Sequence, residues 1–100
     1  MTSNIGKKCL IRTNRAGVFF ATLAEYDKEN REAVLEDCRR IWYWNGAASL
    51  SQLAVEGVKD KDSSKITMPV KQMQVMEVIE IIPCTEEAIN NIESIKEWKM

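Results

Sequence analysis

Apolar and polar positions alternate with a period of two through much of the first half of the chain, the spacing of half-buried strands. Lys8 to Thr13 (KCLIRT) predicts a first strand. Asn14 to Gly17 predicts a turn, because Asn14 and Gly17 tolerate positive φ. Val18 to Tyr26 follows as a second strand with Val18, Phe20 and Thr22 on one face, and the polar run 27–31 is its hairpin connection. A third strand begins near Ala33. Asp37 to Arg40 either kinks it or links it to a fourth over Ile41 to Trp44, so that 5–44 reads as a strand-rich β-meander.

Beyond Asn45-Gly46 the period changes. Ser49 is a good N-cap, Leu50, Leu53 and Ala54 share one helical face and Gly57 supplies a stop, which predicts a short helix over 50–56. Segment 59–65 has no apolar member and reads as a solvated, mobile loop. Strands return over 66–82. Pro69 puts Ile66 to Val70 at an edge, and Val75 to Ile82 (VMEVIEII) reads as one continuous strand, apolar on both faces. Such a strand is central, or covered by another subunit. Pro83 breaks it, and Thr85 caps a final helix over 85–98 with Glu86 and Glu87 in its first turn and an Ala88/Ile92/Ile95 stripe. The expected fold is α+β: one domain over 1–100, a small bent β-barrel or meander of Src-homology-3-like or Sm-like type with a short inserted helix and a C-terminal helix.

Composition narrows the function more than the fold. The 14 basic and 15 acidic residues leave a net charge of −1, against the basic excess of a general nucleic-acid binder, although Lys7, Lys8, Arg12 and Arg15 form a local basic stretch. Histidine is absent, which removes the commonest general base and metal ligand. Cys9, Cys38 and Cys84 are scattered, without the spacing of a disulfide framework or a zinc site, and read as buried free thiols in a reducing cytosol. The four glycines are dispersed, so no phosphate loop forms, and Glu86-Glu87 is accounted for by the helix start. No leader-like or membrane-length apolar run occurs. These features predict a cytoplasmic, non-enzymatic protein with no catalytic residue, metal or cofactor and no membrane association.

The informative stretch is Asp37 to Trp44 (DCRRIWYW). Arginine offers a planar fork for phosphate, while Trp and Tyr stack on nucleobases. Arg12, Arg15, Arg39 and Arg40 are therefore candidate phosphate-binding residues, with Trp42, Tyr43 and Trp44 as candidate stacking residues. The plainer alternative pairs the arginines with Glu36 or Asp37 and puts the aromatics in the core. Strand alternation assigns Ile41 and Tyr43 to the core and turns Trp42 and Trp44 outward.

The chain resembles a family of small, uncharacterised bacteriophage and prophage proteins. The resemblance rests on Gly6-Lys7-Lys8, Ile11-Arg12-Thr13, Ala16-Gly17-Val18, Thr22-Leu23, Leu35, Asp37, Arg39 to Trp44 and Val78 to Glu86. Cys38 stands where the family pattern has Ala and Ala21 where it has Gly, both small replacements. The resemblance carries no assigned activity. It implies a phage context, in which small proteins without catalytic equipment commonly bind a host component. Three readings follow: a homo-oligomeric sponge for a nucleotide-derived host immune signal, a protein inhibitor of a host defence effector or nuclease, and an Sm-like nucleic-acid binder, the last disfavoured by charge.

Overall fold

In the computed structural model, which describes residues 3–100, the meander is formed by β1 (Lys8–Thr13), β2 (Val18–Asp27) and β3 (Glu32–Tyr43). Helix α1 (Leu50–Glu56) follows, then β4 (Lys65–Ile66), β5 (Val70–Val75), β6 (Val78–Pro83) and helix α2 (Glu86–Glu93). All strand pairs are antiparallel in one six-stranded sheet of order β4-β3-β2-β1-β6, with β5 also on β3.

Of the two alternatives for Asp37 to Arg40, the kink is the one observed, and the third strand runs unbroken from Glu32 to Tyr43. Asp37, at φ +48°, is the extra residue where the β2–β3 register shifts between Phe20 and Thr22. This bulge bends β3 without ending it. One half of β3, Ala33 to Cys38, pairs with β5 and the other, Ile41 to Tyr43, pairs with β4. The expected single strand from Val75 to Ile82 is, conversely, two. Glu77 has φ +59°, and the chain turns a corner at Met76-Glu77 between β5 on β3 and β6 on β1.

That corner dictates the shape of the sheet. Laid flat, β5 and β6 would be four strand spacings apart, about 19 Å. The link from Val75 to Val78 spans at most about 11 Å, so the sheet must curl. It does not close, because β5 and β6 do not pair with each other. The structure is therefore a curled, open sheet with two helices, and the expected closed barrel is corrected to this coarser form.

Curling gives the sheet two dry faces. Leu10, Phe20 and Ile41 pack under Leu53, Ala54, Val58, Ile92 and Ile95, the apolar stripes of the two helices and their flanks. On the other face Cys9, Ile11, Phe19, Leu23, Leu35, Cys38, Val75 and Val78, from five strands, meet one another with no helix among them. Among the described residues no helix is long and apolar enough to cross a membrane.

The caps follow the sequence. Ser49 Oγ accepts from Gln52 N–H at 3.1 Å, and Gln52 Oε1 reaches back to Ala48 N–H at 2.8 Å. Thr85 Oγ1 accepts from Ala88 N–H at 3.1 Å. Helix α2 stops at Glu93, short of the expected 98: Ser94 closes it, and the chain leaves to pair Glu97 with Ile66 in a parallel bridge. Segment 59–65, read as a mobile loop, forms a turn in which Ser64 Oγ donates to Asp60 O at 2.9 Å and accepts from Asn45 N–H at 3.1 Å.

Gly57 joins α1 to α2. It sits at φ +79°, and a Cβ there would collide with the Asn91 side chain. Asn91 is not free to withdraw, since its amide bonds both Val58 N–H and Val58 O, each at 2.9 Å. Gly57→Ala is expected to cost about 2–4 kcal/mol, from backbone strain plus the displaced amide. Urea denaturation measures it; an unchanged midpoint would show that the Asn91–Val58 bonds carry no stability.

Candidate functional site

Of the seven candidate residues, Arg39 and Trp42 reach the C-terminal segment, and they have different roles. Arg39 is 7% exposed and faces the helices. Its guanidinium donates to four backbone carbonyls: Nε to Thr67 O at 2.8 Å, Nη1 to Ile92 O at 2.9 Å, and Nη2 to Ile66 O at 3.3 Å and Ile95 O at 2.9 Å. Among the described residues no carboxylate is within ion-pair distance of it. Burial lowers its pKa, opposed by the charges of Glu97 and Glu93. Arg39 thus ties β4 to the end of α2, and the greater part of its fork is already engaged.

Alternation along β3 holds only as far as Trp42. Ile41 is buried and Trp42 is 60% exposed, as the period of two requires. Tyr43, assigned to the core by the same period, is 47% exposed, whereas Trp44, assigned outward, packs against the helix-side core. The β3–β4 register shifts between Ile41 and Tyr43 and the strand ends there. Trp44 then lies beyond the strand and no longer obeys its period.

Trp42 finds a partner outside the aromatic block. Its ring stacks on Trp98 with centroids 5.1 Å apart and planes at 27°. Trp98 is brought there by its own N–H, which donates to Ile66 O at 2.9 Å. Lys65 Nζ is 5.2 Å from the Trp42 centroid and 5.5 Å from that of Trp98. The ammonium thus lies over both rings at nearly equal distance. Sequence reasoning missed Trp98 and Lys65. They lie 56 and 23 positions from Trp42, in segments read as a helix end and a solvated loop, and no local pattern joins them.

The other arginines stand apart. Arg40 is exposed, with its guanidinium carbon 4.9 Å from the Phe19 centroid. Arg12 pairs with Glu80 at 3.2 Å. In register it is two strands from Ile41, through Val18, roughly 10 Å across the sheet. Arg15 forms a forked pair with Glu77, Nη2 to Oε1 at 2.6 Å and Nε to Oε2 at 3.1 Å, and this pair with Asn14 holds the Glu77 carboxyl below its ordinary pKa. Arg12 and Arg15 therefore lock the corner at Met76-Glu77 onto β1 and its turn.

Two clefts flank the segment 95–97. One, of about 450 Å³, has Phe20, Lys8, Asp37, Arg39 and Glu93 in its lining. The other, of about 360 Å³, adjoins the tryptophan pair and is lined by Lys61, Asp62, Ser94, Lys96, Glu97 and Trp98, among others.

The thiols lie away from the tryptophan pair. Cys9 and Cys38 are buried and Cys84 is half-buried; none is disulfide-bonded. Burial pushes Cys38 up to about 11 and Cys84 to about 12, from an ordinary 9.0. A raised thiol pKa leaves stability untouched below the unfolded value. Stability then falls as pH rises through the window between the unfolded and folded values. Their share of the alkaline loss should appear between about pH 9 and 12, and the slope there should shrink in Cys38→Ala and Cys84→Ala. Equal slopes in urea titrations of these variants and the parent would refute the assignment.

No curated protein and no solved structure matches the chain. A family model described as a domain of unknown function (DUF6948) matches residues 6–92, a span that includes the sheet and all of α2 except Glu93 and stops short of Trp98. The chain belongs to this domain family.

Proposed function

We propose that the protein is a non-enzymatic binding protein for a nucleotide-type ligand, acting in a phage context as a homo-oligomeric sponge that sequesters a nucleotide-derived host immune signal. The observation that carries this reading is the stack of exposed Trp42 on half-buried Trp98, with Lys65 over both rings. A base can add to such a stack, because aromatic faces accept any nucleobase and stacking is worth about 1–3 kcal/mol per base. The lysine beside it is placed for the ligand's negative charge. A meander whose last strand returns to β1 suits a Src-homology-3-like or Sm-like frame. Of the candidate residues, Trp42 and Tyr43 border this surface, whereas Arg39 contributes by holding the C-terminal segment that carries Trp98.

Calorimetry and tryptophan fluorescence against cyclic dinucleotides and cyclic ADP-ribose isomers test the reading. Saturable binding is expected, weakened at least tenfold by Trp42→Ala or Trp98→Ala with the fold intact. Silence across the panel would sink it. A second reading, direct inhibition of a host defence protein, is favoured by the exposed Ile5, Tyr26, Met76 and Ile79. A stoichiometric host partner in a pull-down, with Ile79→Asp abolishing capture and no small molecule bound, would select it.

A further inference from the structure

We infer that two copies of this chain join through strand β5, which pairs antiparallel with β5 of the second copy about a two-fold axis at Met73. The inference rests on the homo-oligomeric part of the reading above, names its interface, and uses none of its ligand chemistry.

An unpaired sheet edge is a template for another chain unless short length, proline, charge, a bulge or a covering segment blunts it. Strand β4 is two residues long, and the C-terminal segment covers it through the Ile66–Glu97 bridge and the bond from Trp98 N–H to Ile66 O. Strand β6 ends in Pro83, carries Glu80 and breaks its register on β1 between Arg12 and Thr13. Strand β5 is blunted only by Lys71. Its residues, Val70–Val75, pair with β3 on one side, and among the described residues the other side has no strand partner.

The pattern along this edge is self-complementary when turned end for end. From Val70 to Met76 it reads VKQMQVM, with Met73 at the centre. Met73 and Val75 pack with the curled-face core of their own copy, so alternation leaves Gln72 and Gln74 on the exposed row. Antiparallel pairing about Met73 sets Gln72 opposite Gln74 of the second copy, and the reverse. Glutamine amides both donate and accept, so each of these pairs can bond in either sense. The same register sets Val70, 42% exposed, opposite Met76, 56% exposed. The exposed apolar residues at the two ends of the edge thus cover one another. Lys71 falls opposite Val75 and meets no like charge. Neighbouring registers are poorer: a centre at Lys71 opposes the two lysines, and a centre at Gln72 puts Val70 against Gln74. One strand pair covers little area, so the dimer belongs to the weak, concentration-dependent class.

Sedimentation equilibrium of the full chain over a wide concentration range tests the interface. A reversible monomer–dimer equilibrium is expected, with no mass beyond two copies, because pairing about a two-fold axis is closed. Gln72→Lys/Gln74→Lys should weaken dimerisation at least tenfold, since each introduced cation then faces another across the pair. Gln72→Lys/Gln74→Glu should dimerise at least as tightly as the parent, because the same positions now oppose unlike charges. Both positions are exposed, so circular dichroism and urea midpoints should show both variants folded. A chain that is monomeric at every concentration would overturn the interface, as would assemblies larger than a dimer. An undiminished dimer in the first variant, or equal loss in the second, would overturn it too. Silent nucleotides with an intact β5 dimer would remove the sponge and leave the interface standing, whereas a monomer that still binds them would do the reverse.

Discussion

Replacing Arg39 by methionine is expected to remove about 3–5 kcal/mol of stability, a large share of the roughly 5–15 kcal/mol that holds a domain of this size. The side chain serves four carbonyls on two elements, Ile66 and Thr67 at β4 and Ile92 and Ile95 at the end of α2. Methionine fills similar volume and removes a desolvated charge, but leaves these carbonyls without their donors. The damage should be local first. Amides of 94–98 should exchange fastest, and Trp98 should lose its stack on Trp42, visible as a change in tryptophan emission before global unfolding. Arg39→Lys keeps the charge but has no planar fork to reach both elements, so an intermediate loss is expected. Urea denaturation of the two variants decides the matter. A methionine variant within 0.5 kcal/mol of the parent would mean that the C-terminal segment is held by its apolar contacts alone.

This role was not legible in the sequence, and the reason is physical. An arginine beside another arginine and three aromatics is the pattern of a ligand site, and the chemistry that suits phosphate oxygens equally suits carbonyl oxygens. What distinguishes them is burial, and the bulge at Asp37 decides it. Were Asp37 a regular extended residue, the alternation from Leu35 onward would place Arg39 with the sheet-curl core and Cys38 toward the helices. The left-handed Asp37 shifts the phase by one, so that Cys38 goes to the curled face and Arg39 to the helix face. The same kind of break separates Val75 from Val78, where an apolar run looks like one strand because Met76 and Glu77 are not turn formers by composition. Short-range signals suffice where the responsible groups are neighbours: the Ser49 and Thr85 caps, the Gly57 stop and the turn at Asn14–Gly17. Alternation holds for Ile41, which lies inside the regular part of β3, and fails for Trp44, which lies beyond its end. Trp98 reaches Trp42 only through the pairing of the C-terminal segment with Ile66, a tertiary event with no sequence neighbour to announce it.

The adjacent phenylalanines give the second large effect, because they report on opposite faces of one strand. Phe19 is buried in the cluster on the curled face, and Phe20 under the helices, with Lys8 Nζ 5.2 Å from its ring. Each is fully buried, so Phe19→Ala and Phe20→Ala should each cost about 3–5 kcal/mol, enough to populate the unfolded state of a marginal domain. The leucine variants are more informative, since a loss of about 1–2 kcal/mol leaves the fold measurable. Phe20→Leu should speed amide exchange in α1 and α2, which rest on it, whereas Phe19→Leu should act on β5, whose Val75 and Met73 belong to or border its cluster. Because the clusters share the backbone of β2 but not their side-chain contacts, the double variant should be additive to within about 0.5 kcal/mol. A coupling of 1 kcal/mol or more, or identical exchange patterns in the two single variants, would show that the faces respond as one core and that the curled side has no packing of its own.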